Sequence, residues 1–239
     1  MAKKNKLVKK GKLYFRFLKR LMTMKYKSPE FIFLGDVFED GSVVLSNHEG
    51  TDAPMALEMY MDRKFRMWGA HEMNSGLKMM YKYQTEVYYH QKKGWKLFPA
   101  KLFCLLASPL TNLFYSAFPL ISTYKDQRFF KTIKESIYAI KNKENIVIFP
   151  EDSTNGYLPE LEGFLLGFTG LGEVALKRGV DIPIVVSYYV KKTNTYIFDQ
   201  PIMYSSLVKE GLTKEQIADK LLKRCNELGK MNFNKKTDK

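Results

Sequence analysis

The stretch DQRFFKTIKESIYAIKNKENIVIFPED, Asp126 to Asp152, decides the fold class of this chain. Its first part places Phe129, Phe130, Ile133, Ile137 and Ile140 at helical recurrence, so a helix is expected over Asp126–Lys141. Ile146 to Phe149 follows as an unbroken apolar run, the density of a parallel strand buried on both faces. A helix leading straight into such a strand is a unit of an α/β fold, and the flanking sequence supplies more of the same.

Toward the amino terminus, FIFL (Phe31–Leu34) and Val43–Leu45 read as short strands. The stretch APMALEMYM after Asp52 reads as a helix with Pro54 in its first turn, and KFRMWG (Lys64–Gly69) as the next strand. Toward the carboxyl terminus, Leu171–Arg178 is helical, Ile182–Tyr189 is a strand, and Asn194–Phe198 is placed to pair beside it. Thr213–Leu228 closes the chain as a helix. Ile217, Leu221, Leu222 and Cys225 share one face of it, and Thr213 with Gln216 has the spacing of a capping box. The 239 residues and 45% apolar content suffice for one core. The expected architecture is therefore a single α/β domain over residues 28–239, with a mostly parallel central sheet and flanking helices. A basic amphipathic helical segment over residues 1–27 precedes it.

The net charge of +14 is concentrated at that leading segment. The first 30 residues hold eleven lysines and arginines against Glu30 alone, interleaved with residues such as Leu13, Tyr14, Phe15, Phe17 and Leu18. Arg16, Lys19 and Arg20 interrupt any signal-peptide core. The pattern suits a helix lying on an anionic membrane surface, each basic residue contributing about 1 kcal/mol. Nucleic acid is not an expected partner, since no zinc-finger spacing, GxxG clamp or aromatic RNA-binding strand accompanies the charge. Cys104 and Cys225 read as reduced thiols facing the cytosol, and no cysteine–histidine cluster has metal-ligand spacing.

From Leu102 to Tyr124 the chain runs 23 residues without a charge, LFCLLASPLTNLFYSAFPLISTY. That exceeds the roughly 20 residues needed to cross hydrocarbon, but Pro109, Asn112 and Pro119 are awkward in a simple span. A buried helix pair, a membrane-dipping lobe and a true span all remain open.

The chemistry centres on SNHEGTDAP, Ser46–Pro54. His48 and Asp52 are separated by four positions, which on a first helical turn places them on one face. A carboxylate there holds one imidazole nitrogen and leaves the other to accept a proton. The plain alternative is a polar cap at a helix start. There is no G-x-S-x-G nucleophile stretch and no obvious activated cysteine, so a base here would activate a hydroxyl or amine of the substrate itself. His71, after the strand ending in WGA, and His90, before Gln91, Lys92 and Lys93, read as packing and surface positions.

SNHEGTDAP, FPEDS (Phe149–Ser153) and DIPIVV (Asp181–Val186), in this order and at roughly these distances, resemble the sequence blocks of the glycerolipid acyltransferases. That family includes 1-acylglycerol-3-phosphate acyltransferase. The run FTGLGEVALKRGVDIPIVV is similar to the segment that ends in the family's proline-bearing strand, and the resemblance covers about Phe31 to Tyr189. It implies His48 as general base and Asp52 as its orienting partner. It further implies that Asn47, Glu151 and Ser153 bind or orient the acceptor. The reaction implied is direct transfer of a fatty acyl group from a thioester to the hydroxyl of a lysophospholipid such as 1-acylglycerol-3-phosphate, in phospholipid synthesis. No cofactor is bound permanently; acyl-CoA or acyl-acyl carrier protein is the donor substrate. The implied partners are an anionic membrane surface, a lysophospholipid or other lipid acceptor, and acyl carrier protein. The implied location is peripheral or monotopic, on the cytoplasmic face of the cell membrane.

Three departures bear on the substrate. Only Glu49, Gly50 and Thr51 stand between His48 and Asp52, one fewer than the family's spacing. Asp152, Ser153 and Thr154 occupy the places of glycine, threonine and arginine, and Thr123 that of a basic residue, with Lys125 and Arg128 nearby. If the acceptor carries a phosphate, Lys125 or Arg128 is expected to grip it. A non-phosphate lipid acceptor, such as an amino-lipid, glycolipid or neutral hydroxy-lipid, and a non-catalytic lipid-binding membrane protein are the alternatives.

Overall fold

Buried side chains alternate along three central strands, and this alternation builds the two sides of the molecule. In β2 (Val43–Leu45), Val43 and Leu45 enter one apolar cluster and Val44 the other. In β5 (Asn145–Ile148), Ile146 and Ile148 oppose Val147; in β6 (Pro183–Val190), Ile184 and Val186 oppose Val185. Strands buried on both faces belong at the centre of a sheet covered by helices.

The computed structural model describes residues 20, 23, 26–116, 120–154 and 156–231. The segment 1–27 expected to be a basic amphipathic helix lies almost wholly outside them. Five further strands complete the sheet among the described residues: β1 (Glu30–Phe33), β3 (Phe65–Ala70), β4 (Ile121–Thr123), β7 (Thr195–Phe198) and β8 (Ile202–Met203). The order is β1-β7-β6-β2-β5-β3-β4, with β8 beside β6. From β6 to β4 every pairing is parallel; β7 and β8 run antiparallel to β6, and β1 is parallel to β7. The protein is thus a single domain with a mixed, mostly parallel sheet flanked by helices, as the sequence pattern indicates.

One face is covered by α1 (Asp52–Tyr60), through Ala53, Met55, Ala56 and Leu57. Next in the chain come α2 (Leu77–Lys82), prolonged by a π-helical segment over Tyr83–Lys92, and α3 (Leu97–Tyr115). The other face is covered by α4 (Phe129–Lys141), α5 (Gly167–Lys177) and, after the short α6 (Tyr204–Lys209), by α7 (Lys214–Lys230). Helix α4 starts three residues later than its pattern suggests because Asp126 forms a turn, accepting the Arg128 N–H at 2.9 Å on its carboxylate. The capping box of α7 is present: Thr213 Oγ1 accepts from Gln216 N at 3.3 Å, and Gln216 Oε1 accepts from Thr213 N at 2.8 Å.

The uncharged run Leu102–Tyr124 is not one element. Its first part belongs to α3, which packs back on the preceding helix, and its end forms the edge strand β4. A helix pair does form, held by Ser108 Oγ donating to Gln84 Oε1 at 2.7 Å. Only one face of α3 is buried in it, however, through Ala100, Cys104, Ser108 and Phe114.

Candidate active site

The parallel strands β2, β5, β3 and β4 all end on the same side, and ligands of open α/β sheets sit outside such carboxyl ends. Just beyond β2, the Ser46 hydroxyl lies 2.6 Å from the Tyr196 hydroxyl. The Asn47 amide then reproduces a strand pairing: Oδ1 accepts from Tyr189 N at 2.7 Å, and Nδ2 donates to Tyr189 O at 3.0 Å. Asn47 is 1% exposed, and its amide holds the end of β2 against β6. The chain then turns sharply through Glu49 and Gly50, at φ of 42° and 67°. Glycine tolerates that conformation; for Glu49 it is a strained one.

His48 sits at the start of this turn. Its backbone N–H donates to Glu151 Oε2 at 3.0 Å, so a carboxylate just beyond β5 fixes the backbone that carries the imidazole. The ring lies between Phe149, at a centroid distance of 4.9 Å, and Tyr157, nearly parallel at 5.0 Å. It lines a cavity of about 140 Å³ whose other walls include Met55, Trp68, Phe114, Tyr115 and Leu120. Burial, followed by the charges of Lys92 and Lys93, lowers the His48 pKa to about 4, partly offset by the backbone of Gly50 and of His48 itself. The imidazole is therefore neutral at physiological pH. Its Nδ1 is buried and has no hydrogen-bond partner among the described residues.

Asp52 does not supply that partner. Helix α1 begins at Asp52 itself, and the left-handed turn before it takes His48 off the helical face. The Asp52 carboxylate instead meets Lys191 Nζ at 2.7 Å, beyond the end of β6. The expected His48–Asp52 dyad is thus not assembled, for a geometric reason: i and i+4 share a face only within a helix.

Glu151 is close to His48, as its position after β5 suggests, and is 7% exposed. Burial raises its pKa, against the opposing backbone contacts from His48 and Leu158. The Ser153 hydroxyl accepts from Lys92 Nζ at 2.6 Å. Arg128 is engaged by a neighbouring carboxylate at the surface. Its guanidinium forks onto Asp126, with Nε–Oδ1 at 2.9 Å and Nη2–Oδ2 at 2.7 Å, and lies 4.6 Å from the Tyr124 ring centre. Lys125 is exposed, and its charge reaches Lys92, whose pKa is lowered mainly by burial.

Lys92, Lys93 and Tyr157 are the site residues that the motifs do not reveal. Both ammonium groups lie 5.6 Å from the Tyr157 ring centre, on which the imidazole also packs. Lys93 also reaches the turn, since a Cβ on Gly50 would stand 3.9 Å from its Nζ. Neither lysine forms an ion pair among the described residues. A lysine doublet at a helix end has the look of a solvated surface, and no spacing shows which loop it faces. His71 and His90 lie elsewhere: His71 pairs with Glu72 at 3.1 Å, and His90 Nδ1 is 2.7 Å from Trp95 O.

No family model matches the chain, and no curated protein matches it either. Among solved structures it is similar to the 1-acyl-sn-glycerophosphate (LPA) acyltransferase PlsC from Thermotoga maritima. The identity is 16% and the TM-score 0.42, over 97% of this chain and 81% of that one.

Proposed function

We propose that the protein transfers a fatty acyl group from an acyl thioester to the hydroxyl of a lipid acceptor bearing a phosphate, such as 1-acylglycerol-3-phosphate. The observation that carries this reading is the neutral imidazole of His48 on the wall of an apolar cavity, with Lys92 and Lys93 both over the ring of Tyr157, another of its walls, and neither in an ion pair among the described residues. The imidazole takes the proton of the acceptor hydroxyl as its oxygen attacks the thioester carbonyl. The carbon–sulfur bond then breaks, and the proton passes to the leaving thiolate. Direct transfer fits a lining with no cysteine or serine among the described residues and with the Thr51 hydroxyl 3.0 Å from that of Tyr26; Cys104 and Cys225 are buried elsewhere.

The lysines tie acceptor binding to base strength. A phosphate held by Lys92 and Lys93 offsets their charges, the lesser causes of the lowered His48 pKa, while burial, the largest, remains. Bound acceptor thus moves the base toward the working pH. Either acyl-CoA or acyl-acyl carrier protein serves as donor on this reading, both presenting the same thioester.

A second reading, lipid binding without chemistry, is favoured by the lack of an orienting carboxylate on the His48 ring: among the described residues its Nδ1 has no hydrogen-bond partner of normal geometry, and only backbone, that of Gly50 and His48, acts on the imidazole as a hydrogen-bonding group. The deciding experiment incubates purified protein with labelled acyl-CoA or acyl-acyl carrier protein and a panel of phosphorylated and neutral acceptors, with products identified by mass. Acylated phospholipid formed by the wild type and not by His48→Ala supports transfer. Lipid bound without turnover of any donor supports the second reading.

A further inference from the structure

The outer face of α3 is left without a use by the catalytic reading. Phe98, Leu102, Leu105, Leu106, Leu110 and Leu113 recur along one side of the helix and are all exposed, Phe98 by 80% and Leu106 by 79%. A contiguous apolar face of this kind marks a surface that meets something apolar. Its surroundings narrow the choice. Beside this face stand the exposed Lys96, just before the helix, and the exposed Lys101 on it, and α3 itself carries no carboxylate. The complement is therefore apolar inside and negatively charged at its surface, which describes an anionic lipid leaflet.

We propose that α3 lies in the plane of an anionic membrane with its outer face sunk into one leaflet. Its 19 residues have the length and apolar character of a span, but the packing of the helix pair opposes one. The inner side of α3 is fastened to the segment Leu77–Lys92, whose outer side exposes Lys78, Lys82 and Glu86. Crossing would carry those charges into hydrocarbon. Lying flat requires burial of only the outer half, to a depth of about 5–10 Å. Trp95, 41% exposed just before the helix, then falls at headgroup level, where indoles are enriched.

This placement has a consequence for the site, and this part rests on the acyl-transfer reading. Phe114 and Tyr115, at the end of α3, form part of the His48 cavity. A cavity of about 140 Å³ is small beside the roughly 300 Å³ or more of ordinary ligand pockets, so a long acyl chain must extend beyond it. An extension along α3 keeps that chain in the leaflet while the hydroxyl reaches His48.

The test uses the full-length protein and vesicles of phosphatidylcholine and phosphatidylglycerol. Cosedimentation is measured at low salt and at about 1 M KCl, where a Debye length of about 3 Å screens attachment by surface lysines. Wild-type binding should persist at high salt, and the Leu102→Glu/Leu106→Glu double variant should bind about tenfold less or weaker still. Quenching of Trp95 by brominated lipid in a Trp68→Phe chain, which leaves α3 unaltered, provides a second readout. Equal high-salt binding by a double variant with a wild-type melting temperature overturns the proposal. So does a lipid-free dimer that the same changes dissociate while vesicle binding stays intact. His48→Ala should bind vesicles as the wild type does, so failure of the catalytic reading and failure of this one are told apart.

Discussion

His48 is surrounded by causes that keep it neutral, and each has a measurable effect at the residue scale. His48→Ala should lower turnover by roughly 10²–10⁴-fold, the contribution of a general base, while the melting temperature stays near that of the wild type. Asp52→Asn should leave turnover nearly unchanged, because the carboxylate meets Lys191 and not the imidazole. That ion pair is solvent-facing, and its loss should cost no more than about 1 kcal/mol. Steady-state transfer and melting curves of the two variants check both statements; a large loss in a folded Asp52→Asn protein would restore the orienting role. The depressed pKa of His48 also makes stability depend on pH. The unfolded chain binds a proton near pH 6.5 and the folded one only near 4, so stability is full above 6.5 and falls as pH drops toward 4. Glu151 opposes this, since a raised carboxylate favours the folded state at the acid end. In His48→Gln, thermal melting between pH 4 and 6.5 should therefore show a flatter pH dependence than in the wild type.

At the scale of elements, the site depends on the junction of β2 with β6. Asn47 ties the two beyond their last paired residues, and Glu151 holds the next backbone N–H from the end of β5. Asn47→Ala would leave the Tyr189 N–H and carbonyl without these contacts, at on the order of 1–3 kcal/mol for each buried group left unpaired. Urea unfolding should record that loss. Turnover should fall further than the folded fraction accounts for, because the turn bearing His48 loses its anchor. Activity tracking the folded fraction alone would show that β2 holds the turn without Asn47.

The whole molecule brings together groups far apart in the chain. Lys92 and Lys93 extend from the helix pair to Ser153 and Tyr157, beyond the end of β5, and face His48 beyond β2. Charge-assisted contacts contribute roughly 1.5–3 kcal/mol. In Lys92→Gln/Lys93→Gln, the ratio of kcat/KM for lysophosphatidate to that for monoacylglycerol should fall about 10- to 100-fold. Lys92→Arg should restore part of it. An unchanged ratio would remove the lysines from acceptor recognition, and an equal loss on both acceptors would mark them as structural.

The sequence by itself determined whatever depends on short-range pattern. The alternation of Val43–Leu45 and Ile146–Ile148, the face of α4 and the Thr213–Gln216 capping box all follow from periods of two and 3.6 residues and from local hydrogen bonds. The placement of His48 and Glu151 at strand ends followed from the same pattern. Only the tertiary structure decided which charged groups meet. Two residues with positive φ, Glu49 and Gly50, turn Asp52 toward Lys191; a local turn draws Arg128 onto Asp126. The fold back from α2 to α3 brings Lys92 to Ser153 and leaves the apolar face of α3 uncovered. Spacing along the chain encodes which face a side chain takes within its element. The loop that it meets depends on how the elements pack, which spacing along the chain does not record.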